Sequence, residues 1–202
     1  MKSIAIVYHS ASGRTERIAL TIANGARRVP GCEVQLLQAH ELIERPQALL
    51  AYHGLILGSP TYLGGVSAPL KALMDATGPL WRQQRLRGRL AAGFTVSALP
   101  AGDKQSTLIS MFTFCMQHGM LWAGNPILPE QHRGVPESEA ANRLGSWSGL
   151  MAQADKTAPD FCPGDLKTAH LFGQHFAETL SRLQQPELEP AQECQGACRD
   201  KG

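Results

Sequence analysis

What the chain is short of narrows its function before any motif is read. Its 202 residues include five cysteines, Cys32, Cys115, Cys162, Cys194 and Cys198. That odd, scattered set is not the disulfide framework of a small secreted domain, so a reducing cytoplasm is the expected compartment. Charge of one sign is also missing, because 19 Lys+Arg against 17 Asp+Glu leave only +2. So weak a field argues against a nucleic-acid or anionic-membrane partner. No apolar run reaches transmembrane length, and Ile4-Ala5-Ile6-Val7-Tyr8 is too short for a signal peptide. The remaining composition, 43% hydrophobic and 18% charged, is that of one decorated globular domain.

Short apolar segments alternate with helix-like stretches, which implies parallel strands joined by helical crossovers. Ser3 to Tyr8 shows no polar alternation and reads as a central strand covered on both faces. Ile18, Ala19, Ile22, Ala23 and Ala26 recur at three- and four-residue steps, a crossover helix from Thr15 to Arg28. A strand is expected over Glu33 to Leu37, then a weak helix over Glu41 to Tyr52 interrupted by Pro46. A third strand covers Gly54 to Gly58, followed by a loop from Ser59 to Gly65 and a helix near Ser67 to Thr77 that Gly78-Pro79 ends. Leu90 to Ser97 is the fourth strand, Ser106 to His118 a helix, and Met120 to Ala123 the start of a fifth strand. Gly124 to Gly164 reads as an insertion beside the site, Asp165 to Leu183 as a last helix, and the tail beyond Gln185 as disordered.

Three loops follow carboxyl ends of strands, where open parallel sheets bind their ligands. Ser10-Ala11-Ser12-Gly13-Arg14-Thr15 opens the first helix, and small hydroxyl residues around a glycine let backbone amides converge on a phosphate. The same residues would also serve as a plain N-cap. The loop has neither the triphosphatase motif nor the three-glycine dinucleotide fingerprint, so a phosphomonoester on a mononucleotide fits best. Pro60-Thr61-Tyr62-Leu63-Gly64-Gly65 offers a flat aromatic surface and glycines that admit a planar ring, or else forms a tight turn. Ser97-Ala98-Leu99-Pro100-Ala101-Gly102-Asp103-Lys104 leaves the fourth strand at the same edge. All three would border one crevice.

With these loops in place the chain resembles the flavodoxin superfamily, and within it the tryptophan-repressor-binding (WrbA-type) NAD(P)H:quinone oxidoreductases. The resemblance implies a flavodoxin-like α/β sandwich with a five-stranded parallel sheet of order 2-1-3-4-5, spanning residues 1–184. It implies that the loop at Ser10, Ala11, Ser12, Gly13, Arg14 and Thr15 holds the FMN phosphate. Pro60, Thr61, Tyr62, Leu63, Gly64 and Gly65 would contact the isoalloxazine, and Ser97, Ala98, Leu99, Gly102 and Asp103 would close the other side. Trp81, in Met74-Asp75-Ala76-Thr77-Gly78-Pro79-Leu80-Trp81, and His118, in Gln117-His118-Gly119-Met120, would stand near the exposed flavin face as catalytic residues, His118 donating a hydrogen bond to the reduced quinone. The implied activity is two-electron transfer from NAD(P)H to a quinone, by a dimer or tetramer. A glycine-rich stretch usual in the third loop is replaced here by Leu99 to Lys104.

Outside the resemblance, a tryptophan after a helix commonly packs, and a histidine at a helix C-terminus meets the dipole. Asn142 to Trp147 could cover a flavin edge or form a packed turn. Arg82, Arg85, Arg87 and Arg89 read as a solvated face or as a grip for a nicotinamide-cofactor phosphate. Cys194 and Cys198 are too thin a pair to assign a metal. An electron carrier and a flavin-binding interaction protein are the two rival readings.

Overall fold

The structure is a computed structural model that describes residues 1–154 and 160–183. Five elements make the first half of the sandwich: β1 (Lys2–Tyr8), α1 (Arg14–Ala26), β2 (Cys32–Gln38), β3 (Gly54–Tyr62) and the short β4 (Gly65–Val66). They are followed by α2 (Ala68–Ala76), α3 (Gly78–Arg82), β5 (Leu90–Ser97), α4 (Lys104–Gln117), β6 (Leu121–Trp122), β7 (Leu150–Gln153) and α5 (Pro163–Arg182). The main sheet is parallel, in the order β2-β1-β3-β5, with β6 and β7 together completing the fifth position. The expected order 2-1-3-4-5 is therefore present. The unalternated run in β1 is explained by two cores: Ile4, Ile6 and Tyr8 pack toward α1 and α5, and Ala5 and Val7 pack toward α2 and α4.

Several boundaries differ from the sequence expectation, each for a local reason. The stretch 41–52 forms two 3-10 helices, Ala39–Leu42 and Pro46–Ala51, because Pro46 cannot continue a helix from the preceding residues. Gly78-Pro79 does not stop the chain in a loop. Proline is favoured in a first helical turn, and α3 starts there at once. Ser59 to Tyr62 is strand rather than loop, since β3 continues into a hairpin in which Thr61 pairs with Val66 and Tyr62 with Gly65. Leu63 and Gly64 both take positive φ, 46° and 78°, as a two-residue hairpin turn requires.

The fifth strand is split. β6 pairs with the start of β5 through Leu90 and Ala91, and β7 pairs with its end from Phe94 to Ser97. The expected insertion is thus an excursion that leaves the sheet after Trp122 and re-enters at Leu150, and α5 begins at Pro163, inside the stretch assigned to it. The tail beyond Gln185, with Cys194 and Cys198, lies outside the described residues.

Candidate functional site

The carboxyl ends of β1, β3 and β5 border one cleft of about 270 Å³, at the point where the chain turns from β1 outward to β2 and then back to β3. Ala11, Ser12, Arg14, Thr15, Pro60, Thr61, Tyr62, Ser97 and Ala98 line it, together with Val96 and Ala154, which the sequence had not suggested. The three loops meet. Gly13 borders an adjoining opening beside Arg17 and Asp160, and Leu63, Gly64 and Gly65 form the turn beyond Tyr62. Leu99, Gly102 and Asp103 belong to the third loop without lining the cleft.

The first loop has the form of an anion cradle. Gly13 takes φ +79°, a left-handed conformation that turns the chain into α1 without a side-chain cap. The first N–H groups of α1 have no acceptor within the helix, and Ser10 Oγ is buried without a partner. Thr15 is buried at the cleft wall. An uncompensated buried hydroxyl beside free helix amides matches a phosphate acceptor, so these residues fit FMN.

A chain of hydroxyls fixes the second loop. Thr61 Oγ1 lies 2.8 Å from both Thr95 Oγ1 on β5 and Thr107 Oγ1 on α4. Tyr62 stands half exposed just beyond it, a flat apolar surface at the cleft edge.

The third loop is tied down from behind. Gly102 has φ +51°, and a Cβ there would come within 2.3 Å of Ser97 Oγ and 3.2 Å of the Leu99 carbonyl, so a larger residue would be strained and would displace the Ser97 side chain. Lys104, wholly buried, donates from Nζ to the carbonyls of Leu99 and Pro100, and Gln153 Nε2 donates to Ala98 O at 3.2 Å. Burial lowers the Lys104 pKa to about 8, with Asp165 opposing and Arg143 reinforcing that shift. The sequence carried one signal for Lys104. It is a cation at the first position of a helix, where the dipole disfavours it.

Gln153 is itself held. Arg143 makes a bidentate pair with Asp165, 2.8 and 3.2 Å, and Asp165 Oδ2 also accepts the Gln153 N–H at 2.7 Å. Asn142, whose Oδ1 accepts from the Ser146 N–H, makes 142–146 a packed turn, while Trp147 is exposed.

Trp81 and His118 occupy a different place. They border a groove of about 540 Å³ between α2, α3 and α4, with Met74, Thr77 and Phe114. His118 follows the last residue of α4, whose first residue, Lys104, ends the third loop, so the length of that 14-residue helix, about 20 Å, separates it from the cleft within one chain. Thr77 Oγ1 lies 2.7 Å from Met74 O and 3.0 Å from His118 Nε2, and its one hydrogen can serve either acceptor. The His118 ring leaves Nδ1 buried and without a partner. Burial keeps it neutral by lowering its pKa.

The arginine run is not one solvated face. Arg82 and Arg87 are exposed, but Arg89 is buried and donates to the Tyr52 carbonyl. No group of three metal-ligating side chains occurs among the described residues, and no helix among them is long and apolar enough to cross a membrane.

A parallel 2-1-3-4-5 sheet with an anion cradle after its first strand defines a flavodoxin-like protein. Comparison with known proteins agrees. Residues 42–132 match the family described as NADPH-dependent FMN reductase. An NAD(P)H dehydrogenase (quinone) of Archaeoglobus fulgidus is 31% identical, over 91% of this chain and 100% of its own length. Flavodoxin FldP of Pseudomonas aeruginosa is 32% identical, over 91% and 99%. Among solved structures, a WrbA-like flavodoxin from Agrobacterium tumefaciens superposes with a TM-score of 0.69 at 28% identity, covering 90% of this chain and 99% of its own. The chain belongs to the flavodoxin-like NADPH-dependent FMN reductase family.

Proposed function

We propose that the protein is an FMN-dependent oxidoreductase that passes two electrons from NAD(P)H to a quinone or similar acceptor. The observation that carries this reading is the convergence of three loops, one an anion cradle with a partnerless buried hydroxyl, on a single cleft. Full-length relatives named NAD(P)H dehydrogenase (quinone) support the same chemistry.

Ser10, Ser12, Thr15 and the first amides of α1 would hold the phosphate, and the turn at Gly13 would aim those amides. Pro60 to Gly65 and Ser97 to Asp103 would flank the ring, with Tyr62 against one face. FMN, when bound, supplies the hydride chemistry, and the protein supplies binding and orientation. The third loop, Ser97 to Lys104, contains no aromatic residue, which leaves one ring face open to a nicotinamide and then to a quinone.

Trp81 and His118 stand a helix length from the cleft of their own chain, so their proposed roles require a homo-oligomer in which they face the flavin of a neighbouring subunit. The half-exposed Trp81 and the exposed Leu63 and Leu99 provide apolar surface for that assembly. At the acceptor, His118 would donate a hydrogen bond from Nδ1–H to the developing oxyanion of the reduced quinone, with Thr77 Oγ1 donating to Nε2.

The test is an absorption spectrum of the purified protein, then anaerobic addition of NADPH and a benzoquinone. Bound FMN and turnover are expected. No affinity for FMN at micromolar concentration would refute the reading. A second reading, electron carrier, is favoured by the relative named flavodoxin. It would be chosen by negligible NAD(P)H oxidation together with a paramagnetic one-electron state that persists during reductive titration.

A further inference from the structure

The peptide planes of the third loop are oriented by two side chains behind it. The Leu99 and Pro100 carbonyls point to Lys104 Nζ, the second at 3.0 Å, and the Ala98 carbonyl points to Gln153 Nε2. The described chain has no cis peptide bonds, and in a trans peptide the carbonyl and the following N–H point in opposite directions. The N–H of Leu99 is thereby turned away from Gln153, and that of Ala101 away from Lys104. Pro100 contributes no N–H.

A buried ammonium ion is an expensive way to pack a loop, because its desolvation is offset only by charge-assisted bonds. An uncharged side chain of similar length would fill the same space at lower cost. We propose that Lys104 is a positioning residue for the flavin ring, a latch that fixes the Leu99 and Pro100 carbonyls inward so that the loop presents the Ala101 N–H to the ring and its carbonyl oxygens. The groups around the latch are Asp165 of α5, which favours the charged form, and Arg143, which opposes it. Deprotonation leaves two neutral N–H donors in place of three charge-assisted ones, so the latch weakens as the pH passes about 8.

This inference rests on the reading of the cleft as a flavin site, and two variants separate the two. Lys104→Met removes charge and donors. Lys104→Gln removes the charge and keeps an N–H donor. Apo-protein is titrated with FMN by fluorescence quenching from pH 6.5 to 9.5, and hydrogen exchange of residues 97–107 is followed without flavin. In that segment the amides of Lys104 and Ser106 bond to the Ala101 and Asp103 carbonyls. Lys104→Met is expected to weaken FMN binding roughly tenfold at pH 7 and to speed exchange in the segment, and Lys104→Gln to recover most of both. Wild-type affinity should fall as the pH passes about 8, and that of Lys104→Gln should not. A role in packing alone would instead favour Met over Gln. Wild-type exchange and affinity in Lys104→Met would overturn the latch, and so would a wild-type pH profile that matches Lys104→Gln should the Met variant not fold. A wild-type protein that binds no FMN refutes the flavin reading, and exchange alone then decides the latch.

Discussion

His118 Nε2 and Thr77 Oγ1 lie 3.0 Å apart in a buried wall of the groove beside Trp81, and Thr77 Oγ1 also lies 2.7 Å from Met74 O. The contact holds the imidazole in one orientation. Its unpartnered Nδ1 is the group available to an acceptor in the groove. His118→Ala should lower benzoquinone turnover by about ten- to a hundredfold while leaving FMN affinity almost unchanged. Thr77→Val, which removes the contact to Nε2 and keeps the shape, should cost less. Steady-state kinetics with a parallel flavin titration decide it, and turnover of His118→Ala equal to wild type removes the residue from the reaction.

In the proposed assembly a site shared between subunits would allow one defective subunit to rescue another. Gly13→Val forces a β-branched residue into φ +79° and should abolish flavin retention, whereas His118→Ala keeps flavin but reacts slowly. Co-expressed under separate tags and purified as mixed assemblies, the two variants should turn over faster than either alone, because a flavin-bearing subunit then meets an intact His118. Light scattering gives the assembly size. Monomers with full activity would contradict the arrangement.

The Arg143–Asp165 pair is nearly solvent-free on both sides, with side-chain exposures of 10% and 2%. Arg143→Met should therefore destabilise the protein by about 3–5 kcal/mol, chiefly by stranding a buried carboxylate. Adding Asp165→Leu should recover much of the loss. Urea denaturation of the two variants measures both steps, and an unchanged midpoint for the single variant would show the pair to be dispensable.

Stability should respond to pH at both ends. Burial holds His9, His53, His118 and His175 below the ordinary imidazole pKa of 6.5. The unfolded chain then binds more protons than the folded one as the pH falls below 6.5, and stability should drop there. For Lys104 the folded value near 8 lies below the unfolded 10.5, so its contribution rises with pH between those values. Cys115 and Tyr8, both raised by burial, act in the opposite sense once the pH exceeds about 9 and 10 respectively. The readable quantity is thus the urea midpoint of wild type relative to Lys104→Met, which should increase from pH 8 to 10. A flat difference would place the ammonium in a better-solvated site than its burial implies.

Much of the frame was legible because it is local. The bare apolar run of β1 and the three- and four-residue steps of α1 identify both elements without reference to the rest of the chain. The three loops of the cleft were legible because parallel topology puts successive strand ends on one edge. What escaped notice depends on contacts distant in sequence. Nothing in Leu121-Trp122 or Leu150 to Gln153 announces that both pair with the same strand, and the Thr61, Thr95 and Thr107 hydroxyls meet only when β3, β5 and α4 are assembled. Pro60 and Gly78-Pro79 read as interruptions because the proline rules describe the isolated chain, whereas β3 continues through one and α3 begins at the other.

The split fifth strand also divides the protection of one sheet edge between two segments. β6 covers the start of β5 after a single helix, and β7 covers its end only after the excursion from Ala123 to Gly149. Without β7 the distal half of β5 would be an open edge of Phe94, Thr95 and Val96, the kind of template on which a chain pairs with the wrong neighbour. Gln153, the last residue of β7, and Ala154, just beyond it, reach the third loop and the cleft through that strand. The cleft is therefore completed only when β7 is paired, and a ligand bound there would favour the fully closed sheet over a chain with that edge open.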